Sequence, residues 1–169
     1  MIRTIILGMA LLYFCRPLLS DSLSVLLITG RNNHDWQSTT PVLEKLYNDH
    51  PRFTIDKTLR SDDLNHRQLS QYHVVLSTWS AWPDVNGRQW GREAEQALLD
   101  FVRRGNGFVL FHSAGATFHD WPEYQQLIGA IWDKGKTGHG KRHCFKVCIN
   151  RSGHPVTAGM SGFWIYDAN

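Results

Sequence analysis

The chain has 169 residues, of which 42% are hydrophobic and 20% are charged. This composition is that of one compact globular domain, and it excludes a disordered chain and a coiled coil. The formal net charge is only +3, whereas a nucleic-acid-binding protein usually needs a clustered basic face. We therefore expect no nucleic-acid partner.

The first twenty residues are typical of a targeting segment. The basic Arg3 precedes an apolar run over residues 4–15, and Pro17 ends the run. This run is short for a membrane span but fits the core of a signal peptide. We predict that residues 1–20 are a signal peptide and that the protein is exported, to the periplasm or outside the cell. An uncleaved anchor at the membrane surface is the alternative, because the residues before Ser20 lack the small-x-small cleavage pattern.

From residue 25 onward, apolar runs alternate with segments of helical spacing. The runs 25–29, 53–58, 73–77 and 108–111 predict four strands. Helical spacing predicts a helix over 39–49 that starts at a threonine cap, a short helical linker over 62–71 and a helix over 94–102, and Asp120 with Pro122 predicts the start of a further helix. Such alternation predicts an α/β three-layer sandwich with a mostly parallel sheet.

Polar and aromatic residues follow three of these strands. Parallel α/β sheets gather their ligands at the carboxyl ends of the strands, so the loops that leave these ends should meet at one rim. The residues concerned are Asn33, His34, Asp35 and Trp36 after the first strand, Trp79 and Trp82 after the third, and His112 and Ser113 after the fourth.

The fourth strand stops abruptly in the sequence FHSAG. A strand that runs straight into a tight turn presents the first turn residue at the edge of the sheet, where a nucleophile or a ligand to an anion is well placed. The residue so presented would be His112 or Ser113.

Four segments together resemble the ThuA-like (trehalose utilisation) family. They are VLLITGRNNHDWQSTTPVLEKL, ALLDFVRRGNGFVLFHSAGATFHDWPEYQQLIG, GHGKRHCFKVCINRSGHPVTAGM and WIYDAN, and in the family's order they cover most of residues 24–167. The resemblance implies the class I glutamine amidotransferase-like (flavodoxin-like) fold and a role in carbohydrate metabolism. The amidotransferases carry a cysteine nucleophile in the turn that here reads FHSAG, so we do not expect glutamine hydrolysis.

The resemblance also bears on domain organisation. It implies one ThuA-like domain over residues 21–169 that is incomplete at its C-terminal end, because family members continue with an Asp-Glu-Leu-Tyr motif and further strands. A sheet edge left open in this way would favour association into a homo-oligomer.

The candidate reaction is acid/base chemistry at a carbon of a sugar or an oxidised glycoside, meaning isomerisation, elimination or hydrolysis. Imidazole is the natural general base near neutral pH. We assign His112 as the base, with His34, Asp35 and Ser113 as its candidate partners. A structural hydrogen-bonding role is the alternative for each histidine, and helix capping is the alternative for Asp35.

Two further kinds of site remain open. A divalent metal such as zinc could draw its ligands from His34, His112, His139 and His143, because neutral imidazole is a common metal ligand. Flat aromatic rings suit the apolar faces of sugars, so Trp36 and Trp79 are candidate substrate-binding residues together with His154. For a tryptophan the alternative is core packing, and His154 would otherwise fix a turn.

Two rivals to an enzyme remain at this point. One is a non-catalytic sugar-binding domain, which would keep the aromatic rim without needing His112. The other is an inactive truncated remnant.

Overall fold

The computed structural model describes residues 22–87 and 89–166. The predicted signal peptide over residues 1–20 lies outside the described residues. None of the helices in the described part of the chain is long and apolar enough to cross a membrane. The chain divides into two compact units, one that ends at Trp132 and one that begins at Asp133.

The first unit alternates strands with helices. Its strands are β1 (Leu23–Ile28), β2 (Phe53–Thr58), β3 (Val74–Ser77) and β4 (Gly107–Leu110). Its helices are α1 (Trp36–Asn48), α2 (His66–Leu69), α3 (Arg92–Arg103) and α4 (Pro122–Ile128), and 3-10 turns lie at Ser61–Asp63 and His112–Gly115. The four predicted strands are confirmed.

The four strands form one sheet in the order β2-β1-β3-β4. Every neighbouring pair is parallel, so the predicted mostly parallel α/β sheet is confirmed. The chain leaves β1 towards β2 on one side and returns to the other side of β1 at β3. Loops that leave the carboxyl ends of β1 and β3 therefore diverge, and a crevice opens between them.

Strand β1 is buried on both of its faces. Val25 and Leu27 pack with Leu43 of α1 in one hydrophobic cluster. Leu26 and Ile28 point to the opposite face, because successive side chains of a strand alternate. There they join a larger cluster that includes the α3 side chains Ala94, Ala97, Leu98 and Phe101. The sheet thus has apolar cores on both sides, which is the predicted three-layer arrangement.

An aromatic cluster centred on Phe118 fills part of the larger core. The Phe118 ring lies 5.5 Å from Trp79, 5.2 Å from Trp90, 5.1 Å from Trp121 and 4.9 Å from Tyr124. Trp79 is only 5% exposed. The expectation that its ring reaches the rim is therefore corrected: the ring stacks against Phe118 in the core.

Two helix starts differ from the sequence prediction. Helix α1 begins at Trp36, and its cap is the carboxylate of Asp35, which accepts the backbone N–H of Ser38 at 3.0 Å. The predicted threonine cap is wrong, because Asp35 satisfies a free N–H of the first turn earlier in the chain. Asp120 does not cap α4, since its carboxylate accepts the backbone N–H of Gly87 at 2.9 Å.

The second unit contains one antiparallel pair of strands, β5 (Cys144–Val147) and β6 (Phe163–Tyr166). Residues 138–143 form a loop before β5. All four side chains of β6 are exposed.

A pair of leucines on α1 tests which face of this helix stabilises the fold. Leu43 is 6% exposed and Leu46 is 64% exposed. We expect Leu43→Ala to lower the free energy of unfolding by about 2–5 kcal/mol, because it removes buried methyl groups and leaves a cavity. Leu46→Ala makes the same chemical change on the same helix and should alter stability by less than about 0.5 kcal/mol. Urea denaturation of both variants measures the difference, and equal losses would contradict the assigned packing of α1.

Candidate functional site

A small cleft lies at the carboxyl edge of the sheet. Its lining comes from the segments that follow β1, β3 and β4, and it consists of Asn32, His34, Trp36, Thr39, Thr78, Phe111 and His112. The cleft is small and open to solvent, and its volume of about 230 Å³ includes space that the protein does not enclose. Its position at the crevice between β1 and β3 is the one that the strand order predicts.

The backbone of His112 is in the left-handed region, with φ of +52°. Side chains with a Cβ rarely adopt this conformation, which costs about 1–2 kcal/mol relative to the right-handed one. Hydrogen bonds on both sides hold the turn: Phe111 N–H donates to Ser77 O at 2.9 Å, and Ala116 N–H donates to Ser113 O at 2.8 Å. The tight turn predicted after the fourth strand is therefore present, and its first residue is His112.

His34 and His112 bring their rings together across the cleft. The ring centroids are 4.4 Å apart, and the planes meet at 68°. Partial burial, followed by the neighbouring imidazole of His112, lowers the pKa of His34 below its ordinary value of 6.5. His34 is accordingly neutral near pH 7, and a neutral imidazole can donate one N–H and accept at the other nitrogen.

The side chain of Asn32 connects three segments of the site. Its Nδ2 donates to the backbone oxygen of Thr78 at 2.5 Å. Its Oδ1 accepts the backbone N–H of His34 at 2.9 Å and the hydroxyl of Ser113 at 2.8 Å. Ser113, predicted as a partner of His112, thus donates its hydroxyl proton to Asn32.

Asp35 and Trp36 are positioned by the start of α1. The Asp35 carboxylate is exposed, and hydrogen bonds from Ser38 lower the pKa of Asp35. The structure thus gives Asp35 a helix-capping role, the alternative weighed from the sequence. Trp36 is the first residue of α1, is half-buried and lines the cleft, so its ring is where a bound molecule could contact it.

The four predicted metal ligands fall into two groups. His34 and His112 form the pair in the first unit, whereas His139 and His143 lie in the exposed loop of the second unit. Among residues 22–87 and 89–166, no group of three or more His, Cys, Asp or Glu side chains could hold a metal ion. A catalytic zinc site usually takes three ligands from the protein, and the histidine pair of the cleft supplies two.

His154, the third predicted substrate-binding residue, belongs to the second unit. Its Nδ1 accepts the backbone N–H of Val156 at 3.2 Å, and its backbone oxygen accepts those of Thr157 and Ala158. This is the turn-fixing role that the sequence offered as the alternative.

Four residues of the cleft were not singled out as site residues from the sequence. Phe111 was counted as the last residue of a strand, and Thr39 as part of a helix start. Asn33 is among the residues expected at the rim and Asn32 is not, and the hydrogen bonds of Asn32 distinguish the two. Thr78 contributes a backbone oxygen to the network, which its side-chain type does not reveal.

The fold and the cleft define an α/β protein with a histidine pair at the carboxyl edge of its parallel sheet. Within this class, the chain belongs to the ThuA family, described as trehalose utilisation, whose sequence profile matches residues 24–168. The family resemblance noted from the sequence is confirmed. No curated protein matches the chain in sequence.

Two solved structures share the fold. A ThuA-like protein from Parabacteroides merdae ATCC 43184 has a TM-score of 0.71 and 25% identity, over 85% of this chain and 60% of that one. A ThuA-like protein from Bacteroides uniformis ATCC 8492 has a TM-score of 0.67 and 18% identity, over 91% of this chain and 62% of that one. The present chain therefore spans about 60% of the length of these relatives.

The lowered pKa of His34 predicts the effect of removing its neighbour. In His112→Ala we expect the pKa of His34 to rise, since the positive charge of a protonated His112 is gone, but to stay below 6.5 because burial is the larger cause. Titration of the imidazole resonances by NMR measures both values. His50→Ala, a change at an exposed histidine after α1, serves as the control and should leave the His34 titration unchanged.

The same pKa fixes the sign of a stability effect. Below pH 6.5 the unfolded chain binds a proton at residue 34 more readily than the folded chain does. The stabilising contribution of a neutral His34 is therefore present above pH 6.5 and is lost as the pH falls towards the folded-state pKa. The free energy of unfolding, measured against pH for the wild type and for His34→Asn, isolates this contribution. A contribution that instead grows as the pH falls would contradict the assignment.

The left-handed backbone of His112 predicts an unusual ranking of two substitutions. We expect His112→Gly to unfold with a higher free energy than His112→Ala, by about 1 kcal/mol, because glycine adopts positive φ without strain and alanine does not. Thermal or urea denaturation of both variants gives the difference. Ala114→Gly, at a buried position of the same turn, is a control in which glycine should instead destabilise. If alanine is the better residue at 112, the turn is not left-handed in solution.

Proposed function

We propose that this chain acts on a sugar or an oxidised glycoside by acid/base chemistry, with His112 as the base. The observation that carries the proposal is the placement of His112: a histidine with a left-handed backbone, at the carboxyl edge of the sheet, 4.4 Å from a second imidazole. Strained backbone of this kind clusters at functional sites. Membership of a family described as trehalose utilisation supports carbohydrate as the substrate class.

The two histidines suit different steps of such a reaction. In a sugar that carries a carbonyl group, the adjacent C–H is acidic. His112 takes that proton, and the electron pair of the C–H bond moves onto the carbonyl oxygen as an enolate. His34, neutral because its pKa is lowered by burial and by His112, donates an N–H to this oxygen, as a neutral imidazole can. Return of the proton to the opposite face of the same carbon completes isomerisation as an epimerisation, and departure of a leaving group from the next carbon completes elimination.

The rest of the cleft suits one sugar ring. Trp36 and Phe111 offer apolar surface, with Phe111 42% exposed, and flat rings contact the apolar faces of sugars. Thr39 supplies a polar group beside them. Because the cleft is small and open to solvent, one ring of a disaccharide would occupy it while the second ring extended into solvent.

Hydrogen exchange into a keto sugar tests this proposal directly. The probe is trehalose oxidised to a ring ketone, incubated with the protein in D₂O, and the loss of the proton signal next to the carbonyl is followed by NMR. His112→Asn is the variant of choice, because asparagine tolerates a left-handed backbone but is not a base at neutral pH. We expect the exchange rate to fall by about a hundredfold or more.

His50→Asn is the matched control, since it makes the same substitution at an exposed histidine outside the cleft. It should leave the exchange rate unchanged. If His112→Asn also keeps the wild-type rate, His112 is not the base and the proposal fails. Saturation-transfer NMR then separates the rivals: sugar binding without exchange in the wild-type protein identifies a binding domain, and neither binding nor exchange identifies an inactive chain.

A further inference from the structure

We propose that Asn32 is the positioning residue of the cleft, holding the segment of His34 and the turn of His112 at the separation that the chemistry needs. This inference rests on the proposed function for its purpose, but its geometry stands on hydrogen bonds that are independent of any substrate. Asn32 would act through the two histidines and need not touch the reacting atoms.

The three hydrogen bonds of Asn32 require an amide at this position. One partner is the backbone oxygen of Thr78, which needs a donor. The other two are the backbone N–H of His34 and the hydroxyl of Ser113, which both need an acceptor. A carboxylate accepts but cannot donate, and an aliphatic side chain does neither. Among side chains of this size, only asparagine satisfies all three partners at once.

These bonds join segments that are far apart in sequence. Ser113 is 81 positions from Asn32, and Thr78 is 46 positions away. Because Ser113 directly follows His112, its bond to Asn32 fixes the turn that carries one imidazole. The bond to the N–H of His34 fixes the backbone that carries the other. One side chain thus determines the spacing of the two rings.

The loop that carries Asn32 begins at a glycine and therefore needs a restraint on its backbone. Gly30 has φ of +98°, and a Cβ placed on it would lie 3.1 Å from the backbone of Leu59. The glycine lets the chain turn away at the end of β1, but it also gives the following residues more backbone freedom than any other residue would. The hydrogen bond from the backbone N–H of His34 to Asn32 restricts the loop at the point where it sets the direction of the His34 side chain.

The test compares Asn32→Ala with Asn33→Ala. Both remove one amide from the same loop, and Asn33 is exposed and does not line the cleft. The first readout is the NOE between the ring protons of His34 and His112, recorded on the folded protein without substrate. We expect this NOE to be lost in Asn32→Ala and kept in Asn33→Ala. A role in stability alone would lower the melting temperature and leave the NOE of the folded protein in place.

The second readout is the hydrogen exchange of the keto sugar. In Asn32→Ala we expect kcat to fall about tenfold to a hundredfold, as misplacement of a reacting group by about 1 Å can do, with a smaller change in KM.

An unchanged NOE in folded Asn32→Ala would overturn the proposal. If this variant does not fold, Ser113→Ala decides, because it removes a single hydroxyl bond, and an unchanged NOE there would overturn the proposal too. If Asn32→Ala loses the NOE but the wild-type protein catalyses no hydrogen exchange, the positioning role of Asn32 is upheld and the proposed function is rejected.

Discussion

The burial of β1 on both of its faces is the constraint from which the rest of the structure follows. The side chains Val25 to Ile28 are at most 1% exposed, and a strand of this kind is stable only when helices cover the sheet on both sides. With β2 on one side and β3 on the other, β1 is hydrogen-bonded along both of its edges. The point where its chain emerges is thereby fixed, and so is the base of the loop that carries Asn32 and His34.

The cleft contains two locally unfavourable features. Two imidazoles lie close enough to disfavour a charge on His34, and His112 has a backbone conformation that its Cβ opposes. The backbone conformation of His112 opposes stability at any pH, and the histidine pair opposes it only as the pH falls below 6.5, while the aromatic cluster around Phe118 and the two-sided core of the sheet stabilise the fold. Such local strain persists only where the surrounding structure determines it. The concentration of both features on one residue pair is the strongest physical reason to place the chemistry there.

Most of the framework, but only part of the site, could be predicted from the sequence. Three strands were predictable because short apolar runs between polar turns are typical of buried strands, and β2, which reads FTIDKT, because Phe53 and Ile55 alternate with polar residues. His34 and His112 were predictable because the ends of parallel strands converge at one edge. Trp79 was misplaced, since nothing local shows that Phe118, 39 positions later, stacks on its ring. Asn32 was passed over in favour of Asn33 for a related reason: the bonds that distinguish the two asparagines are to Thr78 and Ser113, and sequence patterns do not report such long-range contacts.

The two histidines follow strands that differ in the number of neighbouring strands that hold them in place. His34 follows β1, which has a neighbour on each side, whereas His112 follows β4, which within the described residues pairs only with β3 and carries the partly exposed Val109. Segments with fewer buried contacts open locally at a lower free energy than the global unfolding of the molecule. Fraying of β4 would therefore separate the histidine pair while the central strands stayed intact. The histidine pair would then separate at a lower temperature than that at which the fold melts, and spectroscopic measures of overall structure would not register this loss.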